Sequence, residues 1–486
     1  MSNSTIKKLS NVFIAIAGNQ LQLADVFFDD KIHEIRFKNH PPLEWKDISE
    51  NIKWNKFKSE LSVSSALTDE NSPNGDFFLL IPGAIDPHVH FDTPGFEDRE
   101  DFEHASLAAA YGGVTSIIDM PCTSKPPVTN LKNLQTKDEA IKGRSWIDYA
   151  YWGGIAGNDF SAGINLKKQI TELAEAGVVG FKAYLISGMD SFQDLTDTRM
   201  TRSATWIGET GKPLAVHAEE KSLVAEREMR FRSAGQNNWW AYCKARDDRA
   251  EAGAISKLAN IAGRTGCKIH IVHLSSEWGL NMVECAKDEG LDFSAETCPH
   301  YLYFTQNDFE NPKIANYLKT APPVKSEYDR EALWKGLQNG LLSFVTTDHA
   351  GCDPEKEKKS DNFWEVYGGI PGVEHRVPFL FSEGFLKGRI SLTQTIELLS
   401  TSAAKYFGLY PQKGILQQGS DADFALINLW EPMAVSASGM HSKGKYTPFE
   451  GIRFNARVDQ TYMRGKLIAT RTGKPEAQLG YGQRIC

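Results

Sequence analysis

Long apolar runs, paired cysteines and concentrated basic charge are all scarce in this 486-residue chain, and each scarcity removes a class of function. The N-terminal stretch "MSNSTIKKLSNVFIAIAGNQ" holds only a short apolar patch, Val12 to Ala17, which Gly18 and Asn19 interrupt. That is too short for a signal core and far below the roughly 20 apolar residues a helix needs to span a bilayer, so the chain reads as cytoplasmic and free of membrane contact. Seven cysteines, an odd number with no CxxC spacing, fit reduced packing thiols better than a disulfide framework. Net charge is −8 and the basic residues are scattered, so nothing resembles the footprint of a nucleic-acid binder. A small or neutral substrate is what these exclusions leave.

What is present is a chain with 41% hydrophobic residues, enough for two to four domains or one large α/β body. Between residues 79 and 351 one grammar recurs: a short β-branched apolar run, a polar or ionisable cluster at its end, then a helix-like segment. The runs are "LLIPGAIDPHVH", "VTSIIDMP", "DYAYWGGIA", "GVVGFKAYL", "PLAVHAE", "KIHIVHLSS", "LDFSAETCPHYL" and "SFVTTDHAG". Eight such units, with helical segments such as 101–111 and 166–176 between them, predict a closed (β/α)8 TIM barrel, an open doubly wound sheet being the competitor. Both chain ends alternate like hairpin strands and are expected to form one small β-sandwich domain. The expected layout is residues 1–78 with a polar insertion at 41–76, a metal-dependent barrel at 79–410, and 411–486 returning to the β domain. The tail from Thr472 reads as an arm ordered by packing on another subunit.

In a barrel, chemistry sits at the C-terminal ends of the strands, where the ionisable clusters fall. His88 and His90 are two residues apart, so on a strand both imidazoles face one side and can grip one ion. His217, His273 and Asp348 each end another run. Such groups converging on one rim would repel one another and remain costly unless metal joined them. Lys182, flanked by apolar residues in "GVVGFKAYL", is expected to shift toward its neutral amine, which can take up carbon dioxide as a carbamate able to bridge two ions. His270, three residues before His273, is expected on the opposite face, as a helix-packing or surface residue. His300 and His349 lie near the rim as groups beside the ligands or substrate.

The order HxH, Lys in "GFKAYL", His, His and Asp resembles the amidohydrolase superfamily, within it the cyclic-amide hydrolases: dihydroorotases, allantoinases and hydantoinases. The resemblance runs from the first strands to "KGILQQGSDADFALINL" and "VDQTYMRGKLIATR". It implies two divalent metal ions per subunit, usually zinc. His88, His90 and Asp348 would hold the first, His217 and His273 the second, and carboxylated Lys182 would bridge them. It also implies that Asp348 moves a proton from the attacking water to the leaving nitrogen, and that the chain forms tetramers or dimers.

Substrate choice is expected to follow the contacts around this set. Dihydroorotases resemble this chain but carry Arg where Asp92 stands, so an acid there argues for an uncharged ring. Hydantoinases match at "IDPHVHFD" but use a tyrosine where this chain has Ser187. Allantoinases share "DMPxxSxPP", the Ser-Gly turn after "GFKAYL", "ETCPHYL" and the long stretch from "PPVKSEYDREALWKGLQNG" to "DHAGCDPEKEKKSDNFWEVYGGI", loops where substrate choice is made. Opening of a cyclic ureide, allantoin to allantoate first, is the expectation. Hydantoinase, dihydropyrimidinase or divergent dihydroorotase activity is the alternative, and a scaffold protein without catalysis is the alternative of another class.

Overall fold

The computed structural model of the chain describes residues 5–39, 41–46, 78–161 and 163–486, so most of the insertion expected at 41–76 lies outside the described residues. Strands β1 (Lys7–Ala15), β2 (Gln20–Phe28), β3 (Ile32–Phe37) and β4 (Leu43–Glu44) form an antiparallel meander on which β5 (Leu79–Pro82) pairs in parallel with β1. β6 (Ala84–His90) follows one residue later and belongs to the barrel. The run "LLIPGAIDPHVH" therefore serves two sheets instead of one. Gly83 makes the switch possible, because a Cβ there would collide with the Thr115 side chain.

The barrel continues through β7 (Val114–Asp119), β8 (Asp148–Tyr151), β9 (Gly153–Gly154), β10 (Phe181–Tyr184), β11 (Leu214–His217), β12 (Ile269–Ile271), β13 (Phe293–Thr297), β14 (Phe344–Val345) and β15 (His349–Ala350). All pair in parallel. β8 and β9 are halves of the third barrel strand, parted at Trp152, whose indole N–H donates to Pro87 O at 2.8 Å inside the barrel. β14 pairs with β13 and β15 with β6, so the broken eighth strand closes the circle, with residues 346–348 in the gap. The expected helices appear at Phe102–Tyr111 and Leu166–Glu175; Asp101 caps the first by accepting from His104 N.

β16 (Phe424–Asn428), β19 (Arg457–Met463) and β20 (Lys466–Thr470) extend the first sheet beyond β5, while β17 (Met433–Ala434) and β18 (Arg453–Phe454) form a separate ribbon. The β domain is thus one sheet, ordered β20-β19-β16-β5-β1-β2-β3 with β4 on β2. It coils on itself: Phe28 of β2 meets Phe424 of β16 edge-on at 5.0 Å although two strands separate them in the sheet. Alternation gives each face a task. Leu80, Phe424 and Leu426 fill this inner core, while Leu79, Ile81, Ala425 and Ile427 join the barrel core.

The end of the tail makes contacts with its own chain. Tyr149 N donates to Gln483 O at 3.0 Å, Ile485 N returns a bond to Tyr149 O at 3.0 Å, and Arg484 pairs with Asp138 at 2.6 Å, so the arm lies along this chain's own barrel. All seven cysteines are unpaired, five of them buried. Among the described residues no helix is long and apolar enough to cross a membrane.

Candidate active site at the barrel rim

β6 delivers His88 and His90 to one side, as their spacing requires, and the gap in the eighth strand delivers Asp348 opposite them. His88 Nε2 and His90 Nε2 each stand 3.1 Å from Asp348 Oδ1. Asp86 secures this approach across the strands: its carboxylate accepts from Thr347 Oγ at 2.6 Å and from His88 N at 3.3 Å. Arg376 donates to Ile85 O at 2.8 Å behind it.

The second pair is set by β11 and the residues after β12. His217 Nδ1 and His273 Nε2 face each other at 3.2 Å, and the His273 ring also neighbours His88, with centroids 5.4 Å apart, so the two pairs form one continuous cluster. Asp348 and His273 adopt φ of 48° and 39°, in the left-handed region that side chains with a Cβ rarely enter. The strain explains the expectation that failed for His270. Val272 points into the barrel, and the left-handed turn brings His273 inward immediately after it. His270 is inside as well, wholly buried, its Nε2 3.1 Å from Glu296 Oε2 and its Nδ1 2.8 Å from Ser294 Oγ.

A group behind three of the four imidazoles fixes which nitrogen faces the site. His88 Nδ1 donates to Glu296, His90 Nδ1 lies 3.2 Å from Thr123 Oγ1, and His217 Nε2 donates to Glu219 at 2.8 Å, leaving His88 Nε2, His90 Nε2 and His217 Nδ1 directed at the site. Glu219 is gripped in turn by Arg246. Burial would raise the pKa of Glu219 and Glu296, but Arg246 with His217, and His88 with His270, hold both acids far down, Glu219 at about 2. Asp348 is likewise held well below the usual carboxylate range by His88 and His90 despite its burial. On the second pair burial prevails: His217 and His273 are both pushed down toward neutral imidazole.

Lys182 on β10 is fully buried between the pairs, and its Nζ has no hydrogen-bond partner. Burial pulls its pKa down to about 8. His273 Nδ1 is also without a partner. An orphaned amine beside bare imidazole nitrogens is a set that metal ions would satisfy, and His88, His90 and Asp348 have one ligand atom each within 4.8 Å of the others. The residues present therefore fit divalent ions.

Above this cluster opens a cavity of about 620 Å³, lined by both histidine pairs, Asp348, Ser187 and Arg246 among others. Ser187 is tied into its turn, donating to Phe192 O at 2.7 Å and accepting from Met189 N at 3.1 Å. Asp92, His300 and His349 do not line the cavity. Asp92 is buried at φ 55° with no hydrogen bond at either oxygen, and burial raises its pKa well above the carboxylate range against the pull of His90. His300 is buried with Nε2 unpartnered, its pKa pushed down to about 4 by burial. His349 accepts from Val373 N at 3.2 Å and lies 3.4 Å from Glu100.

Residues 79–468 match the amidohydrolase family. The chain belongs to that family. Over 413 residues, 84% of this chain and 88% of the relative, the amidohydrolase is 36% identical to the allantoinase of Bacillus velezensis. It is 34% identical to the allantoinase of Rubrobacter xylanophilus over 80% of this chain and 84% of that relative. The solved L-hydantoinase (dihydropyrimidinase) from Arthrobacter aurescens superposes with a TM-score of 0.84 over 98% of each chain, at 28% identity.

Sequence reasoning missed the acids behind the histidines. Glu219 is two residues after His217, so period-two alternation signals that it shares that inward face, whereas Glu296 follows Ser294, whose inward position only the structure shows. Asp86, two residues before His88, carries the same signal. Arg246 carries none, because it reaches Glu219 across 27 residues of chain.

Proposed function

We propose that this cyclic amidohydrolase opens the ring of a small cyclic ureide, allantoin to allantoate first. The observation that carries the reading is the cavity of about 620 Å³ lined by both histidine pairs and Asp348, with the buried, partnerless Lys182 on the strand paired to that of His217. Relatives named allantoinase, at 34–36% identity over most of the chain, favour allantoin among the rings that would fit.

In this reading His88, His90 and Asp348 would hold one divalent ion and His217 and His273 a second, and the neutral amine of Lys182, on adding carbon dioxide and releasing one proton to solvent, would supply a carbamate as anionic oxygen donor. A pair of divalent ions, zinc by preference, would supply Lewis-acid polarisation of the amide carbonyl and a water more acidic than bulk. Asp348 Oδ1, 3.1 Å from both His88 and His90 Nε2, accepts a proton from the attacking water. Water oxygen adds to the amide carbon, the ring C–N bond breaks, and Asp348 returns the proton to the departing nitrogen, giving an open chain whose new carboxylic acid releases its remaining proton to solvent. Glu296 and Glu219 keep their imidazoles in the ligating tautomer throughout.

A hydantoin or dihydropyrimidine ring is the second reading, favoured by the whole-length likeness to the L-hydantoinase structure. Ser187, His300 and His349 are substrate-side or supporting groups in either. The barrel, which begins at β6 and not at residue 79, carries the chemistry and the two chain ends with β5 a supporting domain, in a cytoplasmic tetramer or dimer. Turnover of allantoin, hydantoin, dihydrouracil and dihydroorotate by the zinc-loaded chain separates the readings. Allantoin hydrolysed at least tenfold better than the rest is expected; dihydroorotate as the best substrate would overturn the proposal.

A further inference from the structure

Two buried lysines outside the ligand cluster share one unusual feature. Lys319 donates from Nζ to the carbonyls of Phe363 at 2.6 Å, Trp364 at 3.0 Å and Val366. Lys358 donates to the carbonyls of Tyr367 at 2.8 Å and Gly369 at 2.9 Å. Among the described residues neither amine forms an ion pair with a carboxylate. Lys319 packs instead over the rings of Tyr242 at 4.8 Å and Phe363 at 5.3 Å, and Lys358 over Tyr446 at 5.1 Å.

Five carbonyls of one short segment are thus satisfied by two side chains. Residues 359–369 have no helix and no strand ladder, so the carbonyls of Phe363, Trp364, Val366 and Tyr367 depend on the two lysines, while Gly369 O has Tyr446 as a second donor. The same segment builds a wall of the cavity through Trp364, Val366, Tyr367 and Gly368. With the carbonyls drawn back onto the lysines, its side chains are presented to the substrate space. Two arginines brace the outer rings: Arg99 lies 4.5 Å from the Tyr367 ring centre and Arg232 4.9 Å from that of Trp364. Tyr446 adds a bond to Gly369 O at 2.9 Å and Asn316 one to Lys358 O at 2.8 Å.

Burying an amine without a counter-charge is costly, and here burial lowers the pKa of Lys319 to about 7 and of Lys358 to about 8; a chain that needed only to close a loop could do so with neutral donors. We infer that residues 363–369 are the wall that determines which ring substituents are accepted, and that Lys319 and Lys358 are positioning residues that hold it. This rests on the ring-opening reading for its substrate, but not for its geometry.

The test combines Lys319→Met and Lys358→Met with a wall variant, Tyr367→Phe, in the metal-loaded enzyme. Either lysine variant is expected to raise KM about tenfold or more with kcat within about threefold, the pattern of lost binding common to ground and transition state. Backbone amide exchange should rise in 363–369 while metal content is unchanged. Tyr367→Phe should alter the kcat/KM ratio between unsubstituted hydantoin, 5-methylhydantoin and allantoin more than it alters melting. Unchanged exchange in both lysine variants, or metal lost with kcat, overturns the positioning role. A constant selectivity ratio in Tyr367→Phe overturns the specificity role. A wild-type chain that opens none of the three rings overturns both the functional reading and the specificity role, and the exchange measurement still decides the positioning role by itself.

Discussion

The two halves of the ligand cluster differ in charge. The half on β6 and the eighth strand is ionic: Asp348 draws together His88 and His90, and burial is overcome by neighbouring charge. The half on β10, β11 and the turn after β12 is shifted the other way: burial lowers the pKa of Lys182, to about 8, and those of His217 and His273, so each is driven toward its uncharged form. The first half can assemble on its own residues. The second lacks an anion among the groups that face the site, and a carbamate on Lys182 would supply one.

The largest effect that would break this contrast is on turnover. Asp348→Asn should lower kcat about 10²- to 10⁴-fold with circular dichroism unchanged; near-normal kcat would remove Asp348 from the chemistry. Lys182→Ala should cut bound metal from two ions per chain to one or fewer, read by elemental analysis, and a short carboxylic acid added in trans should partly restore activity. Full metal loading in that variant would show that the second half needs no anion.

Glu296→Gln and Glu219→Gln should each weaken metal binding about 10- to 100-fold in chelator competition, the first at the ionic half and the second at the other half. The metal-free protein should also lose stability as pH falls. Glu219 has its pKa lowered to about 2 from an ordinary 4.5, so its contribution is complete above about pH 4.5 and is lost as pH falls toward 2. That loss amounts to about 3 kcal/mol, and urea titrations of Glu219→Gln should show a correspondingly flatter acid limb. The smallest expected effect is Asp92→Asn. Its carboxyl pKa is raised by burial, so the acid stabilises the fold only while protonated and loses that contribution as pH rises. The amide should leave kcat/KM nearly unchanged and keep or raise the melting temperature at pH 8; a large fall in kcat/KM would put Asp92 back in contact with substrate.

Much of the site was legible in the residues because barrel strands obey a local rule. Alternation places His88 with His90 whatever surrounds them, and an ionisable group ending an apolar run marks the catalytic rim. The rule fails where the backbone leaves the strand. His270 and His273 are three residues apart and yet both face inward, because φ at His273 is 39° and interrupts the alternation. "LLIPGAIDPHVH" was read as one strand because composition does not change at Gly83, where the chain passes between sheets.

By itself, then, the order of residues determined the barrel, the two-ended β domain and the histidines, lysine and aspartate that converge. These depend on patterns repeated every two residues along a strand and every unit along the chain. Only the tertiary structure decided that Asp92 is shut away from the cavity, that Glu219 and Glu296 stand behind the histidines with Arg246, and that two lysines hold a wall of the cavity. Arg246 meets Glu219 across 27 residues, Lys319 meets Phe363 across 44 and His88 meets Glu296 across 208, and the burial of Asp92 depends on which way its side chain faces, none of which local periodicity encodes.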